Sequence, residues 1–225
     1  ELALAAVLLS VVIGLPLGLV AGWKPHGVLA RSIMAGSILG FSLPVFWIGI
    51  LLIMIFSVYT GWLPSSGRGE TRVVLGIGWS FLTLDGLRHM LLPALSLSLF
   101  NIAMVTRLTE AGVREAMSSD YVRFARAKGL SPRRILSVHV LKNVMIPVVT
   151  VVGLDIGQTI AFSVVTETIF SWPGIGKVII DSIGALDRPV IVAYLMLVVV
   201  MFVFINFLVD VTYRLLDPRI RLQGE

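Results

Sequence analysis

An all-α, polytopic bundle of transmembrane helices is the fold class this sequence predicts, and three observations predict it. Of its 225 residues, 57% are hydrophobic and 14% charged, with a mean hydropathy of +0.96, whereas a soluble domain typically carries about 25% charged residues. Five stretches reach the roughly 20 apolar residues needed to cross a hydrocarbon core. Lysine and arginine alternate in abundance from loop to loop, thirteen on one set and five on the other. A bilayer is the solvent these facts share. The pI near 10 and net charge of +5 therefore belong to loops beside the spans, and no nucleic-acid motif accompanies them. The chain has no cysteine, which removes disulfides, thiolate metal sites and cysteine nucleophiles.

The five predicted spans are Leu2 to Gly22, Ser32 to Ser57, Met90 to Thr109, Val144 to Thr166 and Val190 to Val211. Pro16, Pro44, Pro93 and Pro147 fall within them or at their edges. Membrane helices tolerate proline where neighbours satisfy the freed backbone groups, so bent helices are expected. The loops at Lys24 to Arg31 and Arg107 to Lys142 and the tail at Arg214 to Arg221 hold two, eight and three basic residues. Those at Arg68 to Arg88 and Lys177 to Arg188 hold three and two. The positive-inside rule then makes the first group cytoplasmic, so that Glu1 starts outside and the C-terminus ends inside. Trp62 and Trp172 near outer span ends and Trp23 near an inner one fit the interfacial preference of indole rings.

The segment SSDYVRFARAKGLSPRRILSVHVLKNVMIP, Ser118 to Pro147, is the longest polar interruption. Ser118, Ser119 and Asp120 offer N-cap oxygens, and Gly129 stands where a helix ends in the left-handed conformation. Ser131 before Pro132 reads as a second N-cap, starting a helix that runs into the fourth span. The spacing places Tyr121, Phe124 and Ala125 on one face of the first helix, with Arg123 and Arg126 elsewhere. Two readings fit such a helix. It inserts an aromatic ridge into a partner's groove, or it lies on anionic headgroups.

Here the sequence resembles a known family. YVRFARAKGL followed by HVLKNVMIPVV is similar to the cytoplasmic loop of integral membrane permease subunits of binding-protein-dependent ABC importers, in their dipeptide, oligopeptide and nickel branch. LPLGLVAGW, SLPVFWIGILL, GWLPSSGRG, ETIFSWPGIGK and DPRIRL match the same branch in the same order. The resemblance implies one ABC importer permease domain over residues 1–225, with a coupling loop at 114–143, in a bacterial or archaeal cytoplasmic (inner) membrane. It implies as partners a second permease subunit, as a heterodimer, two cytoplasmic ATPases that bind ATP and Mg, and an extracytoplasmic solute-binding protein. No cofactor and no enzymatic activity are expected in this chain. The coupling helix falls on Tyr121, Phe124, Ala125, Arg126, Ala127, Lys128, Gly129 and Leu130. The Glu that opens the wider superfamily's motif is absent. Family members usually carry an earlier span and an external segment, so a truncated start is expected.

Other constellations carry less. PGIGK, Pro173 to Lys177, lacks the P-loop's first Gly, where Ser171 stands, and its Ser or Thr, where Val178 stands. A Gly/Pro turn into a short external helix is expected instead. His26, His89 and His139 are scattered over two inner loops and one outer, without HExxH, and no GxSxG surrounds a serine, so neither a metal site nor catalysis is expected. Asp155 lies mid-span, with Thr150, Gln158, Thr159 and Ser163 nearby. An intramembrane carboxylate needs a partner. Asp155, Gln158 and Thr159 either line a translocation path that attracts a cationic group, or Asp155 is hydrogen-bonded to a neighbouring subunit. Glu167 and Asp210, at span ends, are expected to snorkel or pair locally. A secondary transporter with a midplane site around Asp155 is the competing function. It predicts an internal repeat and paired charges, and the sequence has no clear repeat.

Overall fold

In the computed structural model, residues 1–216 are described, and of 209, 210 and 212–216 the backbone alone. The expectations for Arg214, Asp217, Arg219 and the tail DPRIRL, and for the side chain of Asp210, lie outside the described residues.

Helix α1 (Leu2–Trp23) packs along the 35-residue α4 (Leu84–Ser118). Small residues at every fourth position, Ala6, Ser10, Gly14, Gly18 and Gly22, form the buried stripe of α1. Hydrocarbon supplies no hydrophobic drive between helices, so close backbone approach and dispersion hold such pairs together. A Cβ on Gly14 would lie 2.9 Å from the Ile102 carbonyl oxygen, and one on Gly22 2.8 Å from that of Glu110. The Thr106 hydroxyl donates to the Gly14 carbonyl at 3.3 Å. Contacts advance together along both helices, so α1 and α4 are parallel.

Parallel neighbours require a crossing between them, and α2 (Val28–Ser42) with α3 (Val45–Leu52) provides it. The expected single span from Ser32 to Ser57 is instead two helices bent by 109°. The physical reason is local. Leu43, preceding proline, is extended (φ −93°, ψ 132°), and Pro44 caps α3 with φ −62° and ψ 138°. A π-helical stretch, Ile53–Tyr59, continues α3.

A short antiparallel hairpin, β1 (Arg72–Val74) and β2 (Ile77–Trp79), precedes α4. Beyond α4 come α5 (Asp120–Ala127) and α6 (Pro132–Arg134), then a π-helical stretch (Ile135–Val140) that leads into α7 (Leu141–Ile169). Helix α7 runs antiparallel to α4, with Gly112 beside Val144 and Asn101 bonded to Thr159. A short α8 (Ile175–Gly184) turns the chain into α9 (Arg188–Leu216), whose Phe202 packs on Gly157.

Among the described residues, four helices are long and apolar enough to span a membrane, and the bent pair makes five. Glu1, Arg68 and Trp172 meet at one end. The Glu1 carboxylate accepts from Arg68 at 2.6 Å and from the Ser80 amide at 2.8 Å, and Arg68 donates to the Gly78 carbonyl and lies 6.0 Å from the Trp172 ring centre. Lys24, α5 and α6 sit at the other end. Gly18→Leu, which drives a side chain into Thr106 and Thr109, should lower the melting temperature of the detergent-purified protein, with a cost of about 1–3 kcal/mol or more. Gly36→Leu, at a position with nothing within 4 Å, should leave it nearly unchanged. Equal melting of the two variants would refute the close α1–α4 seam.

Candidate functional site

The basic segment folds as two helices. Helix α4 continues past the expected span end at Thr109 to Ser118, and the extended Ser119 (φ −73°, ψ 156°) turns the chain into α5. Gly129 ends α5 at φ 76°. Its amide donates to the Arg126 carbonyl at 2.9 Å, and that of Leu130 reaches back to Ala125 at 3.2 Å. These are the two bonds of a Schellman cap, and glycine meets the positive φ without a Cβ penalty. Ser131 takes the N-cap position of the next helix in an extended conformation (φ −63°, ψ 146°), without a side-chain capping hydrogen bond, and Pro132 stands in the first turn.

The face of α5 is rotated from the expected one. Val122 and Ala125 are buried against Ile135, Val140 and Val144, together with Val113 and Ala116 of α4. Tyr121 and Phe124 point outward, with Phe124 62% exposed. Ala125 therefore belongs to the anchoring stripe and not to the exposed ridge. Its small side chain, with Val122, seats α5 in the cluster beside the π-helical stretch. Lys128 Nζ lies 4.5 Å from the Phe124 ring centre, and Arg123, Arg126, Ala127 and Gly129 are exposed around it. Leu130 is half-buried against the same cluster as Val122. The outward surface is thus an aromatic pair, Tyr121 and Phe124, with Lys128 over Phe124 and the exposed Arg123 paired to Asp120 at 3.5 Å.

The second constellation lies midway along α7. Asp155, Gln158 and Thr159 line one cavity of about 320 Å³. The Asn101 amide donates to Thr159 Oγ1 at 2.8 Å, and Thr159 donates to Asp155 Oδ2 at 3.3 Å. Leu43, Pro44, Val45 and Phe46, at the α2–α3 break, form another wall. Nothing in the sequence marks Asn101 as a member of this site. Pro44 marked a bend, but nothing in the sequence says that the bend opens opposite Asp155. Thr150 and Ser163 part from the polar stripe. Thr150 donates to the Ile146 carbonyl and Ser163 to Glu167, and both line a separate, larger apolar groove beside α1 and α9.

PGIGK forms the expected turn into a short helix, with Gly174 as the N-cap of α8. Its amides do hold an anion, and the anion is Glu167. The buried carboxylate accepts from the Gly176 amide at 2.7 Å, the Lys177 amide at 3.1 Å and the Ser163 hydroxyl at 3.2 Å. A helix N-terminus favours negative charge, and Gly176 lets that backbone approach α7. Local pairing of Glu167 is thus found. Glu167→Ala should cost about 2–3 kcal/mol by leaving buried amides without an acceptor, read as a lower melting temperature of the purified protein. Glu167→Gln, which keeps one acceptor oxygen, should lose less. A wild-type melting curve for Glu167→Ala would contradict the capping role.

Comparison with known proteins agrees with this architecture. The "Di/tripeptide transport system permease protein DppB" of Pseudomonas aeruginosa (strain UCBPP-PA14) is 43% identical over 235 residues, covering 99% of this chain and 70% of that protein. The "Dipeptide transport system permease protein DppB" of Escherichia coli (strain K12) is 37% identical over 236 residues, covering 98% and 70%. The "Oligopeptide transport system permease protein AppB" of Bacillus subtilis (strain 168) is 37% identical over 219 residues, covering 97% and 67%. A solved structure described as an inward facing conformation of the MetNI methionine ABC transporter shares the fold, with a TM-score of 0.74 at 18% identity, over 96% of this chain and 91% of that one. Residues 14–222 match the family described as "Binding-protein-dependent transport system inner membrane component", and the chain belongs to that family of ABC importer permeases.

Proposed function

We propose that this permease carries peptides or a related small solute inward, delivered by an extracytoplasmic solute-binding protein, through a path formed with a second permease subunit. ATP and Mg bind to two separate ATPase subunits, which dock on α5. The Lys24 end is then cytoplasmic and the Glu1 end external, in a bacterial or archaeal inner membrane. The names of the relatives support the solute class.

The observation that carries the coupling assignment is the division of labour on α5. Its small residues, Val122 and Ala125, anchor it in a cluster shared with α4 and α7, while Tyr121 and Phe124 are presented outward among basic side chains. An exposed aromatic pair on a rigidly seated helix suits a groove in a protein partner, with Arg123 and Arg126 meeting acidic groups at its rim. A helix resting on headgroups has less need of that seat. The path assignment rests on Asp155, Gln158 and Thr159 lining one cavity at the break of α2–α3.

The direct test is co-purification of the ATPase with this chain and uptake that requires ATP. Uptake driven by an ion gradient with no ATPase attached would favour a secondary transporter instead. Phe124→Asp removes no packing from the core and should cut ATP-driven uptake about tenfold or more while membrane abundance holds, since an interface aromatic is commonly worth about 2 kcal/mol. Gly129→Val, strained at positive φ, should also weaken ATPase association. Wild-type ATPase binding by both variants would remove α5 from the coupling role.

A further inference from the structure

Within the permease reading above, we propose that the cavity at the Leu43–Pro44 break is a recognition site for a protonated primary amine, with Asp155 as its counter-ion. The site takes the amino-terminal end of a solute.

Three features of the cavity point to this chemistry. First, the Asp155 carboxylate is positioned but underused. Thr159 donates to Oδ2, and the Asn101 amide donates to Thr159, which commits the hydroxyl hydrogen to Asp155. A carboxylate has about four acceptor positions, and this one hydrogen bond fills a single position. Among the described residues, none of the five ion pairs includes Asp155. A carboxylate at this depth is costly without a cation. Second, Phe46, Phe100 and Phe162 line the same space. Aromatic walls suit an ammonium group and its short alkyl stem, and repel nothing about them. Third, Gln158 is exposed beside Asp155, so an amide donor and acceptor lie within reach of the peptide group that follows an amino terminus. At about 320 Å³ the space is at the small end of ligand sites.

The chemistry excludes as well as admits. An N-acylated solute presents no cation to Asp155, and an anionic one is repelled by it. The competing partner for the carboxylate is a hydrogen-bond donor of the second permease subunit, and that alternative predicts an effect on assembly.

The purified complex of this chain with its second permease and ATPases, without binding protein, is tested for binding of alanyl-alanine and N-acetyl-alanyl-alanine by saturation-transfer NMR. ATP-driven uptake by the wild-type complex with binding protein is measured in parallel, so that failure of the permease reading is seen separately. The wild type should prefer the free amine about tenfold, the scale of one charge-assisted hydrogen bond. Asp155→Asn should abolish the preference with the second permease still bound, and Asp155→Glu should restore part of it. Equal binding of both probes by the wild type, no binding of either, an unchanged preference in Asp155→Asn, or loss of the second permease from that variant would each overturn the amine site.

Discussion

The close parallel packing of α1 on α4 is the constraint from which the rest of the architecture follows. Two neighbouring helices that cross a bilayer in the same direction need a third crossing between them. The chain between Trp23 and Leu84 must therefore return through the membrane, and it does so as α2 and α3, which are broken at Leu43–Pro44. Small residues alone permit the seam. Ala6, Ser10, Gly14, Gly18 and Gly22 keep α1 narrow on one side, so that the carbonyls and β-branched side chains of α4 come within van der Waals range of its backbone. In hydrocarbon this density of contact replaces the hydrophobic drive that a soluble bundle would use.

The Glu1 end is closed by two carboxylates that do similar work. Glu1 gathers Arg68 and the Ser80 amide, fixing the hairpin and the start of α4 to the start of α1. Glu167 gathers the first amides of α8, fixing the turn after α7. Between them, the Gly67 amide donates to the Phe170 carbonyl at 2.8 Å, and Phe170 lies against Gly49 of α3. Buried donors at loop ends are costly when unpaired, and each carboxylate satisfies two or more at once. The result is a layer at the Glu1 end in which α1, α4, α7 and α8 are tied by polar contacts and α3 packs on Phe170, whereas the α1–α4 seam is held by packing.

Much of this was legible in the sequence, because the features concerned are local. Span number follows from runs of apolar residues and alternation from counted charges. The end of α5 follows from Gly129 and the next helix start from Ser131–Pro132, since both are rules about backbone conformation at single positions. The faces of α5 were not legible. Its eight residues carry two apolar stripes, Tyr121 with Phe124 and Val122 with Ala125, and periodicity cannot say which meets the protein's own core. The cavity was half legible. Asp155 announces itself as a mid-span charge, but Asn101, which donates to the neighbouring Thr159, lies 58 residues before Thr159 on α4 and carries no local mark of that pairing. The small-residue stripe of α1 is visible in the sequence as a four-residue repeat, but the helix it meets is not.

The two candidate sites stand on the same pair of helices, which limits how one can act on the other. Force applied at Tyr121 and Phe124 reaches α5, whose buried stripe packs with Val113 and Ala116 of α4 and with Val140 and Val144 at the start of α7. Further along, the buried Asn101–Thr159 hydrogen bond joins α4 to α7 beside Asp155. Sliding α4 past α7 would break that bond and disturb the cluster at once, at a cost above the roughly 1 kcal/mol of a single net hydrogen bond. Moving the two together costs neither. The remaining wall of the cavity belongs to the α2–α3 break, where Leu43 has already left the helical ladder, and α2 is held to α4 beside it by Phe41, whose ring centre lies 4.2 Å from that of Phe100. A push on α5 taken up by α4 and α7 as one body would be met at the break by the Phe41–Phe100 contact. That motion changes the space around Asp155 while leaving its hydrogen-bond relay intact.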